Sequence, residues 1–168
     1  SDVVLAELNG EIGKSVIKIK TKEIGAKLIE SDFTLAKAEV GVKLPGTLKV
    51  DLKKRVPGFK LTNGEAAAEC LLVDNQGVIL DKAGVDKYFE LPILVWAEAD
   101  RLNIGEQVPE KIVKGAEILS LMGYSYNTGG KGSMEGSWLA VKIIRGPLVK
   151  FGLEEEAAKK IKALQLAM

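Results

Sequence analysis

The stretch Ala38–Leu61, AEVGVKLPGTLKVDLKKRVPGFKL, constrains the fold of this chain more than any other. Its first half sets Ala38, Val40, Val42 and Leu44 on one side. Its second half sets Leu48, Val50 and Leu52 on one side, and Lys49, Asp51 and Lys53 on the other. Side chains alternate across a strand, so this period of two describes two strands, each with one buried face. Pro45-Gly46 lies between them. Pro fixes φ at the first corner and Gly accepts the positive φ at the second, the chemistry of a type II turn. A plain two-residue type II loop splays its strands, so a wider connection is expected. The hairpin ends at Arg55-Val56-Pro57, because Pro57 has no N–H to donate to a ladder. Composition changes there. The sequence divides into units 1–57 and 58–168.

A chain of 168 residues suits one domain or two small ones. With 5% aromatic residues, the core must be aliphatic. The 24 basic and 23 acidic residues leave a net charge of +1, which gives no electrostatic reason for nucleic-acid binding. Histidine is absent, which removes the commonest general base and metal ligand. The single cysteine, Cys70, excludes an internal disulfide, and its place in the apolar run CLLVD reads as a buried, inert thiol. No apolar run is long enough to span a membrane, and no signal peptide is evident.

In chain order, Ser1-Asp2 followed by VVLAEL reads as a capped helix stopped by Asn9-Gly10. Lys14–Lys20 is extended. Thr21 caps a helix over Lys22–Glu30, with Ile24 and Leu28 on one face. Short strands follow the hairpin at Phe59–Leu61, Ala66–Val73 and Val78–Leu80, with a turn at Asp74–Gly77. Leu91–Trp96 reads as an edge or entry strand because it contains Pro92. Pro109 starts a helix that carries Ile112, Ala116 and Leu119 on one face and ends at Gly123. Trp138–Ile144 and Leu148–Phe151 form a hairpin around Arg145-Gly146-Pro147. Leu153–Met168 is an amphipathic helix with Leu153, Ala157, Ile161 and Leu164 inward.

Candidate chemistry is sparse. Gly10–Ser15, GEIGKS, ends like a phosphate-binding loop, but the full pattern needs Gly where Leu8 stands. A helix-to-strand turn fits it better. Tyr124–Gly136, YSYNTGGKGSMEG, reads as a mobile hairpin loop. Glu154, Glu155 and Glu156 are consecutive, so they do not face one point, and read as a dipole-matched first turn. For Asp74 a turn-making role outranks catalysis. Core packing is the default for Trp138, and an interface role is the minority reading. The sequence nominates no catalytic, cofactor or metal site.

A helix-helix-strand-strand unit ending in PGTLKVDLKKRVP, then LLVDNQGVIL and LP, resembles the extracytoplasmic part of the bacterial FtsQ/DivIB cell-division family. Pro45, Thr47, Leu48, Val50, Leu52, Arg55 and Pro57 occupy that family's hairpin motif, although Lys54 stands where the family has Glu. Asp74 and Gly77 match its D-x-x-G, and Leu91-Pro92 its LP. The late strand, turn, strand and helix are similar to Trp138–Leu166.

The resemblance implies an α+β fold: a POTRA-like ααββ unit over 1–57, then a mainly antiparallel β-domain with flanking helices over 58–168. It further implies a first POTRA strand before Ser1 and a final β-domain strand after Met168. It also implies a cytoplasmic tail and a single membrane-spanning helix outside this chain. The function implied is that of a non-enzymatic divisome scaffold without cofactors, placed at the septum. Its partners would be FtsB/DivIC-like and FtsL-like proteins, docked by strand addition on an open sheet edge. Trp138, Val141 and Ile143, with Glu155, Lys159 and Lys162 of the last helix, are the candidate contacts, with Trp138 the candidate anchor. A POTRA-type adaptor of outer-membrane transport is the alternative, and would be expected to show tandem repeats or a barrel. A cell-wall enzyme would need a convergent site.

Overall fold

The computed structural model describes residues 8–9, 19–125, 130–154 and 159–162. Two compact units divide at Ser1–Val56 and Pro57–Met168. The expected first helix lies outside the described residues except for helical Leu8 and Asn9, and GEIGKS lies wholly outside.

In the first unit, α1 (Thr21–Ser31) precedes β1 (Leu35–Lys43) and β2 (Thr47–Lys54). The strands pair antiparallel, with Val40 opposite Val50 and Val42 opposite Leu48. Ile24 and Leu28 of α1 and Leu35 form a small core against Ala38, Val40 and Val50. Helix and strand come close at Gly25, where an added Cβ would stand 2.7 Å from the Ala38 carbonyl oxygen. Thr21 lies inside the helix and does not cap it. Lys20 is the N-cap, without a side-chain capping bond, and its carbonyl accepts from Glu23 N and Ile24 N.

The β1–β2 connection is Leu44-Pro45-Gly46, three residues rather than two. The Leu44–Pro45 peptide is cis, and Gly46 is outside the positive-φ region. The Pro-Gly pair therefore does not form the expected type II turn.

The second unit contains β3 (Pro57–Thr62), β4 (Glu69–Asp74), β5 (Ile79–Gly84), β6 (Ile93–Val95), α2 (Glu110–Ser125), β7 (Lys131–Glu135), β8 (Trp138–Lys142) and β9 (Leu148–Gly152). They form one seven-stranded sheet in the order β5-β4-β3-β6-β7-β8-β9. The class is α+β, and the sheet is mixed. All neighbours are antiparallel except β6, which runs parallel to both β3 and β7. Ile112, Ala116, Leu119 and Met122 of α2 are buried in the core, against Phe59, Leu61, Leu94, Leu139 and Val141 of the sheet.

Of the two readings of Leu91–Trp96, the structure has the entry strand and not the edge. β6 is central, because Pro92 precedes the strand, so its missing N–H is never called on, and its carbonyl accepts from Lys60 N at 2.8 Å. Nor is Tyr124–Gly136 one loop. Tyr124 and Ser125 end α2, 126–129 lie outside the described residues, and Lys131–Glu135 is an inner strand. Gly and Ser are poor strand formers, but pairing on both sides and burial of Gly132 and Met134 override propensity. Gly123 does not stop α2 either, since Met122 is fully buried and packing carries the helix past the glycine.

The β4–β5 turn is built by Asp74 and Gly77. The Asp74 carboxylate Oδ1 accepts from Gln76 N at 2.9 Å and Val78 N at 2.8 Å. Gly77 sits at φ +89°, where an added Cβ would come 2.8 Å from Val113 Cγ2. A left-handed position costs a non-glycine residue about 1–2 kcal/mol before any clash. Gly77→Ala should therefore destabilise the protein by roughly 2 kcal/mol or more in urea unfolding. An unchanged midpoint would show that the turn does not hold the sheet.

Candidate partner-docking edge

A seven-stranded open sheet has two edges, and they are not equivalent. The start of β5 is covered. Ile79 N donates to Glu106 O at 2.9 Å, Gly105 N donates to Ile79 O at 2.8 Å, and Val78 forms a bridge with Gln107. β9 has only β8 beside it among the described residues. Outside the strands, Ile143 N donates to Pro147 O at 3.2 Å and Leu153 N to Ser137 O at 3.2 Å. Antiparallel pairs alternate between bonded and non-bonded. Val149 and Phe151 therefore bond inward to Val141 and Leu139, while Leu148, Lys150 and Gly152 turn their N–H and C=O groups outward. An edge of that kind is a template for an incoming strand.

Side chains around the edge divide by the same alternation. Leu139, Val141 and Phe151 enter the core on the α2 face. Trp138 takes the opposite face and is 53% exposed, so core packing is not its role. Its ring lies over Gly152, where an added Cβ would stand 3.5 Å from ring carbon Cζ3. Lys150 Nζ pairs with Glu135 Oε2 at 2.6 Å, a half-exposed pair of small energetic weight. Beside them is a cleft of about 460 Å³ lined by Ser137, Trp138, Lys150, Gly152, Glu154 and Lys160.

The sequence-nominated contacts part company here. Trp138 stands at the edge. Val141 and Ile143 are buried in the core and offer no side-chain surface to a partner, a correction that follows from the register of β8. Lys159 and Lys162 are exposed on the short described piece of the last helix, and Glu155 lies outside the described residues. Leu148 and Ile144, 54% and 49% exposed, are apolar surface that the sequence reading missed. The clue was the odd-even pattern of VKFG, which sends Leu148 to the same side as Lys150.

The family-motif residues are structural in this fold. Thr47, Leu48 and Val50 lie in β2, after the turn that holds Pro45. Arg55 Nε donates to Phe33 O at 3.0 Å, and Pro57 opens β3. Leu91 N closes a turn onto Tyr88 O, and Pro92 leads into β6.

Elsewhere the chemistry is quiet. Cys70 is buried, its thiol pushed above the usual range by that burial, and its sulfur donates to Ala83 O at 3.5 Å. Lys60, also buried, has its ammonium donating to Val85 O at 2.8 Å and Lys87 O at 3.2 Å, which ties the loop after β5 to the sheet. Among the described residues no group of three or more acidic, histidine or cysteine side chains could hold a metal, and no helix is long and apolar enough to cross a membrane. No protein-family model matches the chain, and no curated protein matches it.

The two tryptophans offer a check on the edge. Trp96 is buried and Trp138 is not. Acrylamide should quench one emission component readily, and Trp138→Phe should remove that component. Equal shielding of both rings would place Trp138 under cover.

Proposed function

We propose that this chain is a non-catalytic scaffold of the bacterial divisome, of the FtsQ/DivIB type. It would hold FtsB/DivIC-like and FtsL-like partners and so connect early division proteins to septal wall synthesis. The first unit would be POTRA-like and lie near the membrane. The second would be the family's β-domain, on the extracytoplasmic side of a membrane-anchored protein at the septum. The observation that supports this reading is the open β9 edge flanked by exposed Trp138 and Leu148. It falls within the part of the sequence whose motifs are similar to the family's docking region. Strand addition uses main-chain hydrogen bonds for affinity and neighbouring side-chain pockets for specificity, and the edge and its cleft supply one of each.

Two experiments test the proposal. Fused to a fluorescent tag in dividing cells of its source, the protein should form a band at mid-cell, and uniform peripheral signal in constricting cells would refute the divisome reading. Lys150→Pro removes an outward N–H on an edge strand, where proline is tolerated. It should leave the fold intact by circular dichroism and weaken capture of an FtsB/DivIC-type partner by about tenfold or more. Lys150→Ala, which loses only the exposed ion pair, should bind nearly as the parent. Equal loss in both variants would point to the lysine side chain rather than to strand addition.

A further inference from the structure

The loop that joins β3 to β4 carries the pair Asn63-Gly64. Asn63 is exposed, and its side chain makes no hydrogen bond among the described residues. The main-chain N–H of Gly64 donates to nothing among them either. The chain is anchored on both sides of this peptide. Before it, Thr62 O accepts from Trp96 N at 2.8 Å. After it, Gly64 O accepts from Thr62 Oγ1 at 3.1 Å and from Ala67 N at 3.4 Å. Between those anchors the Gly64 nitrogen and the Asn63 amide are left free. A Cβ added at Gly64 would meet nothing within 4 Å, so the space beside that nitrogen is open.

Other asparagines are placed differently. Asn75 precedes Gln76, whose N–H is engaged by Asp74 Oδ1 at 2.9 Å. Asn103 precedes Ile104, whose branched side chain crowds the nitrogen, and its own amide donates to Glu106 Oε1 at 3.1 Å. Asn9 also precedes a glycine, but Gly10 lies outside the described residues.

We propose that Asn63 is a site of spontaneous deamidation, a modification the folded chain performs on itself. The Gly64 nitrogen attacks Cγ of the Asn63 side chain. A bond forms between them, the Cγ–Nδ2 bond breaks, and ammonia leaves with the proton that the Gly64 nitrogen gives up. The product is a cyclic imide. Water then opens it at either carbonyl. Opening at Cγ yields aspartate, and opening at the main-chain carbonyl yields isoaspartate, in which the backbone runs through the side-chain carbons. No electrons change hands, and solvent water is the only co-reactant. Glycine favours the step because it has no Cβ to obstruct the approach of its own nitrogen. The result is a new carboxylate in a cleft of about 480 Å³ between this loop and Ala99–Leu102, whose lining already holds Lys82, Glu69 and Asp100. The inference rests on the β3–β4 loop and is independent of the β9 edge.

Incubation of the whole chain in mildly alkaline buffer, followed by peptide mapping with mass spectrometry, tests it. The peptide that carries residue 63 should gain the mass of an amide-to-acid exchange and split into two products, isoaspartate and aspartate. Asn75 and Asn103 should stay intact over the same period. The reaction at Asn63 should run nearly as fast as in the urea-unfolded chain, because the fold neither engages nor shields its groups. Gly64→Ala places a methyl group in open space on a backbone outside the positive-φ region. It should fold as the parent by circular dichroism and lose most of the modification. An intact Asn63, equal rates at Asn63, Asn75 and Asn103, strong slowing of Asn63 by the fold relative to urea, or a folded Gly64→Ala variant that reacts as the parent would overturn the proposal.

Discussion

Three residues of β6 hold the second unit together. In the strand ladder, the antiparallel threes β3-β4-β5 and β7-β8-β9 are joined through this strand. The junction is tight. Lys60 N donates to Pro92 O at 2.8 Å, Ile93 N to Gly130 O at 2.6 Å and Trp96 N to Thr62 O at 2.8 Å. Leu94 is fully buried beneath α2. Without β6, β3 and β7 would each expose an unpaired edge in the middle of the core, where every unmet N–H or C=O costs about 1–3 kcal/mol.

Filling that gap has a consequence at the rim. Once the inner edges are paired, only β5 and β9 are outermost. The segment around Gly105 and Glu106 covers the start of β5. Among the described residues β9 has no strand on its outer side, and Trp138 takes the sheet's other face by the register that sends Leu139 and Val141 inward. The open edge among the described residues is a product of how the sheet closes.

Much of this was legible in the residues. The alternation in AEVGVK and TLKVDL marks both strands of the first hairpin, and the spacing of Ile112, Ala116 and Leu119 marks the face of α2. Asp74 and Gly77 announce their turn, because few other residues can accept those bonds or that φ. β7 was not legible. GSM has little strand propensity, and only its two neighbours make it a strand. For β6, Pro92 left an edge strand and an entry strand both open, and only pairing on both sides decides for entry. The burial of Val141 and Ile143 and the exposure of Trp138 depend on which face α2 covers, a tertiary fact that alternation alone does not carry. For the candidate site, the sequence nominated the β8–β9 hairpin, in which Trp138 stands exposed while Val141 and Ile143 are buried.

The central claim is that β9 is an open strand awaiting a partner. Residue-resolved amide hydrogen exchange on β9 tests it most directly. The account predicts alternation, with Val149 and Phe151 protected by β8 and Leu148, Lys150 and Gly152 exchanging freely until an added partner strand slows them. Uniform protection along β9 in the isolated chain would mean that the edge is already covered, and would contradict the account.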